Sequence, residues 1–201
     1  MNMKNFSIMA FIAIFNSLLF SEEIIPSESQ IQVLRGKMSV SEGIQTTSAS
    51  QTSDDSHGAV TYYKIPFNEG TFSFSWKVDQ KQGVTLILDS KPNGKDTHIC
   101  KVIMDGTVGK KTKQNVVTMM TYNGSTREKK TAQKKVEPLA FIAGQWNITS
   151  ITVEGDKATV HINDNSFTMT SELFKRQIMK VGIGTGKGTI FTKDVIVNKM
   201  K

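Results

Sequence analysis

The chain has 201 residues, 25 of them basic and 18 acidic, and its formal charge at pH 7 is +7. This length suits a single domain with a sizeable core. Because Cys100 is its only cysteine, an internal disulfide framework is excluded. The apolar leader and the lack of aromatic residues interleaved with the basic run at residues 101–135 argue against nucleic acid as a partner.

An apolar leader opens the chain. Lys4 supplies a positive charge ahead of a mostly apolar stretch at residues 6–20, and the small Ser21 precedes a polar sequence. This order predicts a cleavable signal peptide over residues 1–21, and hence a secreted or periplasmic product with no stable membrane span after cleavage. A retained anchor is the alternative, although a spanning helix usually needs about 20 apolar residues. Residues 22–30 are predicted to be a linker, and residues 31–201 a single domain.

The first half of the domain alternates short apolar strands with polar turns. A Glu42-Gly43 turn is predicted to join two short edge strands within residues 38–44, and residues 46–58 to form a surface loop. The clearest strand covers residues 71–78, where large apolar residues alternate with small polar ones. Further strands are predicted at residues 59–65, 84–88 and 98–104, with a turn over residues 89–96.

The second half repeats this pattern. Ala158, Val160 and Ile162 are expected to point inward, and Thr170 to cap one or two helical turns between residues 171 and 180. The basic segment ending at Lys135 is predicted to be either a return strand or an exposed loop. Strands recur roughly every eight to twelve residues without a long helix, which predicts an all-β sandwich or jelly roll. These strands are predicted at residues 115–122, 146–153, 158–162, 167–169, 181–183 and 190–197.

Positive charge is concentrated between residues 101 and 135, which hold nine basic and two acidic side chains. A solvated pair of loops would explain the cluster without a ligand, and an anion-binding rim for acidic glycans is the functional alternative. The nine are Lys101, Lys110, Lys111, Lys113, Arg127, Lys129, Lys130, Lys134 and Lys135.

Several motifs follow one another in the last third of the chain: Gly144-Gln-Trp146-Asn147, Ile151-Thr-Val153, Val160-His-Ile162-Asn163, and a closing Gly182-Ile-Gly184. In this order they resemble motifs of the concanavalin A-like lectin/glucanase superfamily. The resemblance is closest to secreted bacterial domains of the 3-keto-disaccharide hydrolase type, and it covers about residues 31–200. It implies a concanavalin A-like jelly-roll sandwich of two antiparallel sheets that holds sugars on its concave face.

The chain departs from this pattern at several positions. Met38 stands where the family usually has Trp, and Asp164-Asn165 replaces an Asn-Gly turn. Glucanases of the superfamily carry two Glu flanking an Asp, because retaining hydrolysis needs two carboxylates about 5 Å apart. Here Glu154 and Asp156 lack the second Glu. Glucanase chemistry of that type is therefore not expected.

Candidate site residues lie on the predicted strand at residues 98–104 and just after it. The segment Cys100-Lys-Val-Ile-Met104-Asp105 resembles the family segment E-V-Q-I-L-D, and the resemblance implies that His98, Lys101 and Asp105 line the sugar-binding face. Alternatively, Asp105 simply begins a turn with the following glycine. Alternation also places His98 and Cys100 on one face, a potential imidazole–thiol pair, although a lone cysteine is more often a buried small hydrophobe.

Aromatic residues and carboxylates supply further candidates. Trp76 is expected to be a core residue and Trp146, which matches a structural position of the resembled family, a packing residue, although a flat ring can stack on a sugar. No cofactor is expected. A calcium ion held by the loop Asp54-Asp55-Ser-His57 is the alternative, and two adjacent aspartates are weak evidence for an ion that takes six to eight oxygens. Tyr62, Tyr63 and Tyr122 are the candidates for exposed polar aromatic rings.

These observations predict a secreted carbohydrate-binding domain. A glycoside hydrolase of the 3-keto-disaccharide type is the alternative that the resemblance implies, and it requires acid and base groups that converge in a cleft. The third hypothesis is a structural or adhesive envelope domain, for which the lysine-rich residues 101–135 would form a contact surface.

Overall fold

A computed structural model describes residues 20–49, 58–78, 83–105, 116–122, 129–135, 144–186 and 188–200. Within these ranges fifteen strands form two antiparallel sheets, and none of the helical segments is long and apolar enough to cross a membrane. In chain order the strands are β1 (Phe20–Ile24), β2 (Ile31–Arg35), β3 (Lys37–Ser41), β4 (Ile44–Ser48), β5 (Val60–Tyr63), β6 (Gly70–Val78), β7 (Gly83–Ser90), β8 (Thr97–Asp105), β9 (Val116–Tyr122), β10 (Lys129–Lys135), β11 (Asn147–Glu154), β12 (Lys157–Ile162), β13 (Asn165–Thr170), β14 (Lys180–Thr185) and β15 (Thr189–Met200).

In each sheet, neighbouring strands come from distant parts of the chain. Sheet I has the order β13-β12-β11-β6-β15-β4-β3, and β1 pairs with β15 beside this path. Sheet II has the order β10-β9-β8-β7-β14-β5-β2. Because β6 lies between β11 and β15, and β14 lies between β7 and β5, most neighbours in each sheet are far apart in sequence. This is the predicted sandwich of two antiparallel sheets.

The core lies between the sheets and follows the period-two pattern of the sequence. Phe72, Phe74, Trp76 and Val78 of β6 are all buried, as their alternation predicts. Sheet II faces them with alternate residues of β7, so that Val84, Leu86 and Leu88 are also buried. Removing these side chains from water is the main stabilising contribution to the fold.

A polar network is buried within this core and explains one wrong prediction. The predicted surface loop at residues 46–58 begins inside β4, where Thr47 is buried. The hydroxyl of Tyr63 donates to Gln45 Oε1, Gln45 Nε2 donates to Thr47 Oγ1, and Thr47 bonds the hydroxyl of Thr61. Buried polar groups persist because they are hydrogen-bonded. A strand whose buried side chains are threonines shows no apolar periodicity, so its sequence does not predict a strand.

Other boundaries also differ from the predictions. Part of the predicted linker is strand, since Glu22, Glu23 and Ile24 pair with β15. A 3₁₀ turn, Glu172–Lys175, does occur in the predicted helical segment, but its cap is Ser171, whose Oγ accepts from the Leu173 N–H. The basic segment ending at Lys135 forms the return strand β10.

Candidate sugar-binding site

The structure separates His98 from Cys100. Leu88 pairs with Cys100 and Asp89 pairs with His98, so Ile99 is an extra residue, a β-bulge in β8. Ile99 and Cys100 are both buried in the core. The predicted sharing of one face by His98 and Cys100 is therefore wrong, because the bulge shifts the alternation by one residue. Burial raises the pKa of the Cys100 thiol, which argues against a catalytic thiolate.

His98 and Lys101 do lie together, on the face of sheet II turned away from the core, here called the outer face of sheet II. Both contact Tyr122 of β9: the His98 ring packs edge-on with its centre 6.2 Å away, and Lys101 Nζ lies 5.4 Å from the Tyr122 ring centre. The backbone of Asp105 lies at the far end of β8, about 13 Å beyond Lys101 at the usual rise per residue. The side chain of Asp105 is outside the described residues.

Asp89 joins the site although the sequence predicted a turn there. Strand β7 continues to Ser90, and the turn is confined to a 3₁₀ segment at Pro92–Gly94. The Met179 N–H donates to the Asp89 carbonyl at 2.7 Å, which holds this end of β7 against β14. Asp89 alternates with the core residue Leu88 and so lies on the outer face of sheet II, yet only 2% of it is exposed.

Three side chains surround the Asp89 carboxylate. His98 Nδ1 and the Tyr62 hydroxyl donate hydrogen bonds to it, and Lys180 Nζ lies 3.8 Å from its Oδ2. Lys180 Nζ also donates to Asp96 Oδ2 at 2.6 Å, and this bond lowers the pKa of Asp96. The bond to Nδ1 fixes the orientation of the imidazole and leaves its Nε2 to meet a ligand.

The position of the Tyr62 ring is restricted by the residues around it. A Cβ at position 182 would lie 2.7 Å from Tyr62 Cε1, so only glycine at that position leaves room for the ring. Lys180 Nζ lies 4.6 Å from the ring centre. Burial, followed by the charge of Asp89, raises the pKa of the Tyr62 hydroxyl, so it stays a protonated donor at neutral pH.

The tyrosine predictions are therefore only partly supported. Tyr62 is buried at the site, and Tyr63 points into the core, so neither is an exposed ring. The predicted exposure is wrong for both, because Tyr63 faces the core and Tyr62 is covered by Lys180 and bonded to Asp89. Tyr122 is the half-exposed ring of the three.

A cavity of about 630 Å³ opens beside Tyr122. Its volume falls in the range of small-ligand sites, and it combines an aromatic ring with convergent hydrogen-bonding groups. The polar and aromatic side chains in its wall include Asn93, Lys95, Asp96, His98, Tyr122 and Arg176.

Comparison with known proteins identifies solved structures that have a similar fold. No protein-family model matches the chain. Solved structures with similar folds include the CBM2 module of the evolved Dit protein of Lactobacillus casei BL23 phage J-1, with TM-score 0.66 and 14% identity over 90% of this chain and 96% of that one. Porphyranase B from Zobellia galactanivorans gives TM-score 0.62 and 10% identity over 92% and 91%. Carbohydrate binding module CBM66 from Bacillus subtilis gives TM-score 0.57 and 9% identity over 83% and 93%.

The fold is a jelly-roll sandwich of two antiparallel sheets. Identities of 14% or less support the fold alone. Among curated proteins, A-kinase anchor protein 5 from Homo sapiens is 28% identical over 131 residues, which cover 56% of this chain. The chain matches only 31% of the length of that relative.

Two other surfaces of this jelly roll share some features of a ligand site. A cavity of about 660 Å³ contains Glu69, but Glu69 Oε1 already accepts from the Gly155 N–H, and the aromatic rings in its wall are buried. On the outer side of sheet I, Trp146 lies against Lys77 and Lys193, whose Nζ atoms are 5.2 and 4.8 Å from its ring centre. Trp76 is buried and donates from Nε1 to Thr149, as expected for a core residue.

The predicted calcium loop, Asp54, Asp55 and His57, lies outside the described residues. Across the ranges that the structure does describe, no group of three or more His, Cys, Asp or Glu side chains is arranged to hold a metal ion.

Proposed function

We propose that the chain is a secreted or periplasmic carbohydrate-binding domain that holds its glycan on the outer face of sheet II. The observation that carries this proposal is Tyr122, a half-exposed ring in the wall of the 630 Å³ cavity that contacts both His98 and Lys101. A flat ring packs against the apolar face of a sugar, while groups at its edge bond the hydroxyls. Two of the similar folds are carbohydrate-binding modules, which supports the same reading.

Replacing Tyr122 tests this proposal. Tyr122→Ala should weaken glycan binding about tenfold or more, as expected for a central aromatic contact. The matched control is Trp146→Ala, which removes a ring from the opposite sheet and should leave affinity within about twofold, since residues outside an interface rarely change it. A glycan array identifies ligands for the full chain, and calorimetry then compares the three proteins. Equal affinity of all three would contradict the proposed site.

We also propose that binding requires no metal. The carboxylates of the site, Asp89 and Asp96, already bond His98 and Lys180, and the other charged groups in the wall, Lys95 and Arg176, are cationic donors. Chelation with EDTA should leave affinity unchanged. Loss of binding that calcium restores would instead point to the Asp54-Asp55 loop.

A glycoside hydrolase is the second candidate, and the Asp89–His98 pair is the observation in its favour. A buried carboxylate that orients an imidazole is an arrangement used for general base catalysis. Assaying the same glycan array for released sugar distinguishes a glycoside hydrolase from a carbohydrate-binding domain. Product formation that disappears in His98→Gln would replace the binding proposal with an enzymatic one.

A further inference from the structure

We infer that the glycan carries an acidic group, a carboxylate or a sulfate, and that Arg176 binds this group in the cavity beside Tyr122. This inference rests on the proposed function and adds the chemical class of the ligand. It concerns a residue that neither composition nor motif singled out.

Arg176 is placed by the 3₁₀ turn that precedes it. Its backbone N–H donates to the Leu173 carbonyl and closes the turn, and Arg176 lines the same cavity as His98 and Tyr122. Its Nη1 is shielded from solvent and makes no hydrogen bond with any residue in the described ranges. A buried donor without an acceptor is unfavourable, so a small movement of the guanidinium toward an acceptor in the cavity is favourable.

The charges around the cavity favour an anion. Asp96 is paired with Lys180, and Asp89 is held by His98 and Lys180. Arg176 and Lys95 are in the same wall, and neither forms an ion pair with a carboxylate in the part of the chain that the structure describes. The wall therefore has an excess of positive charge next to the sugar-stacking ring.

The geometry of a guanidinium suits the proposed group. Its N–H donors form a planar fork that matches a carboxylate or a sulfate with two parallel hydrogen bonds. A neutral sugar hydroxyl would engage the fork with one bond and would leave its charge unbalanced. An acidic sugar with its ring on Tyr122 and its acid group toward Arg176 satisfies both features of the site.

The proposed site beside Tyr122 and the lysine-rich strand β10 occupy different positions along sheet II. Lys129 pairs with Tyr122 across β9 and β10, so the lysine-rich strand forms the far edge of the same sheet. Lysines along an edge attract any polyanion in a salt-dependent way that does not depend on Arg176. The test must therefore distinguish a specific guanidinium contact from this diffuse attraction.

The experiment measures affinity of the full chain for matched carboxylated, sulfated and neutral oligosaccharides of equal length. Arg176→Gln should weaken binding of the acidic ligands roughly tenfold or more, as expected when one partner of a hydrogen-bonded charge pair is removed. Binding of neutral ligands should change less than about twofold. Lys175→Gln is the matched control: it removes one positive charge at the next position, from a lysine that instead bonds Glu172.

The possible outcomes are distinct. Selective loss in Arg176→Gln, with melting temperatures unchanged, supports the inference, and the ligand that shows it identifies carboxylate or sulfate. Arg176→Lys keeps the positive charge but lacks the planar fork of N–H donors. Its affinity for the acidic ligands should therefore lie between that of Arg176→Gln and that of the unaltered protein. Equal effects of Arg176→Gln and Lys175→Gln, or retention of neutral glycans only, would overturn the inference and leave the proposed function intact. Retention of no glycan would overturn both.

Discussion

Asp89 couples the other charged residues of the site to one another. A buried carboxylate is unfavourable unless it is paired and hydrogen-bonded. His98, Tyr62 and Lys180 provide those partners, and each is thereby fixed in one orientation. A substitution at any of the four positions should consequently change the placement of the others, so effects at these positions are not expected to be additive.

Gly182 provides the sharpest test of this arrangement. Gly182→Ala places a Cβ 2.7 Å from Tyr62 Cε1, and the ring cannot move without breaking its bond to Asp89. We expect the free energy of unfolding to fall by about 1–3 kcal/mol, as is typical of overpacking. Chemical denaturation measures it. The control is Gly186→Ala, where an added Cβ meets no atom within 4 Å; equal stability of the two variants would refute this account of Tyr62.

At the element scale, the parts of the fold that the sequence predicted are those with one buried face. The alternation over β6 and the inward residues of β12 are visible because burial on one face repeats every second residue. The bulge at Ile99 could not be predicted, since one extra residue in β8 changes no residue type. It nevertheless decides that His98, and not Cys100, reaches the outer face.

The candidate site was only partly predictable for a related reason. His98 and Lys101 lie on one strand, so the sequence places them close together, but regular alternation would put them on opposite faces and only the bulge at Ile99 brings both to the outer face. Lys180 reaches Asp96 from a position 84 residues away, and Asp89 depends on a backbone bond from Met179. Such pairings arise from the order of strands in sheet II, which local sequence does not encode.

The β3–β4 hairpin leads to a second prediction at this scale. Its turn residues Glu42 and Gly43 both have positive φ, 50° and 74°, as in a type I′ turn. Glutamate is strained there, whereas asparagine tolerates this region. Glu42→Asn should therefore raise the free energy of unfolding by roughly 0.5–1 kcal/mol, the span of similar backbone substitutions. Thermal unfolding measures the gain, and Gly43→Ala should move stability in the opposite direction. A destabilised Glu42→Asn variant would argue against the turn.

At the scale of the whole molecule, the first described strand closes an edge of sheet I. Strand β4 pairs with β15 only as far as Thr192, and β1 covers the same side of β15 further along, at Val197–Met200. Ile24 of β1 also packs against the core. An uncovered strand edge promotes association with other chains, so β1 contributes to solubility as well as to stability.

Two truncated chains separate the role of β1 from that of the apolar leader. Both lack residues 1–21, but one begins at Glu22 and keeps most of the β1 pairing, while the other begins at Pro26 and loses it. The shorter chain should be less stable by about 1–2 kcal/mol, from lost burial of Ile24, which corresponds to roughly 2–8 °C in melting temperature for a domain of this size. It should also form dimers or larger species through the uncovered edge of β15, which light scattering detects. Equal melting temperatures and monomeric behaviour of both chains would mean that β1 is dispensable and that the sheet is already closed by β4.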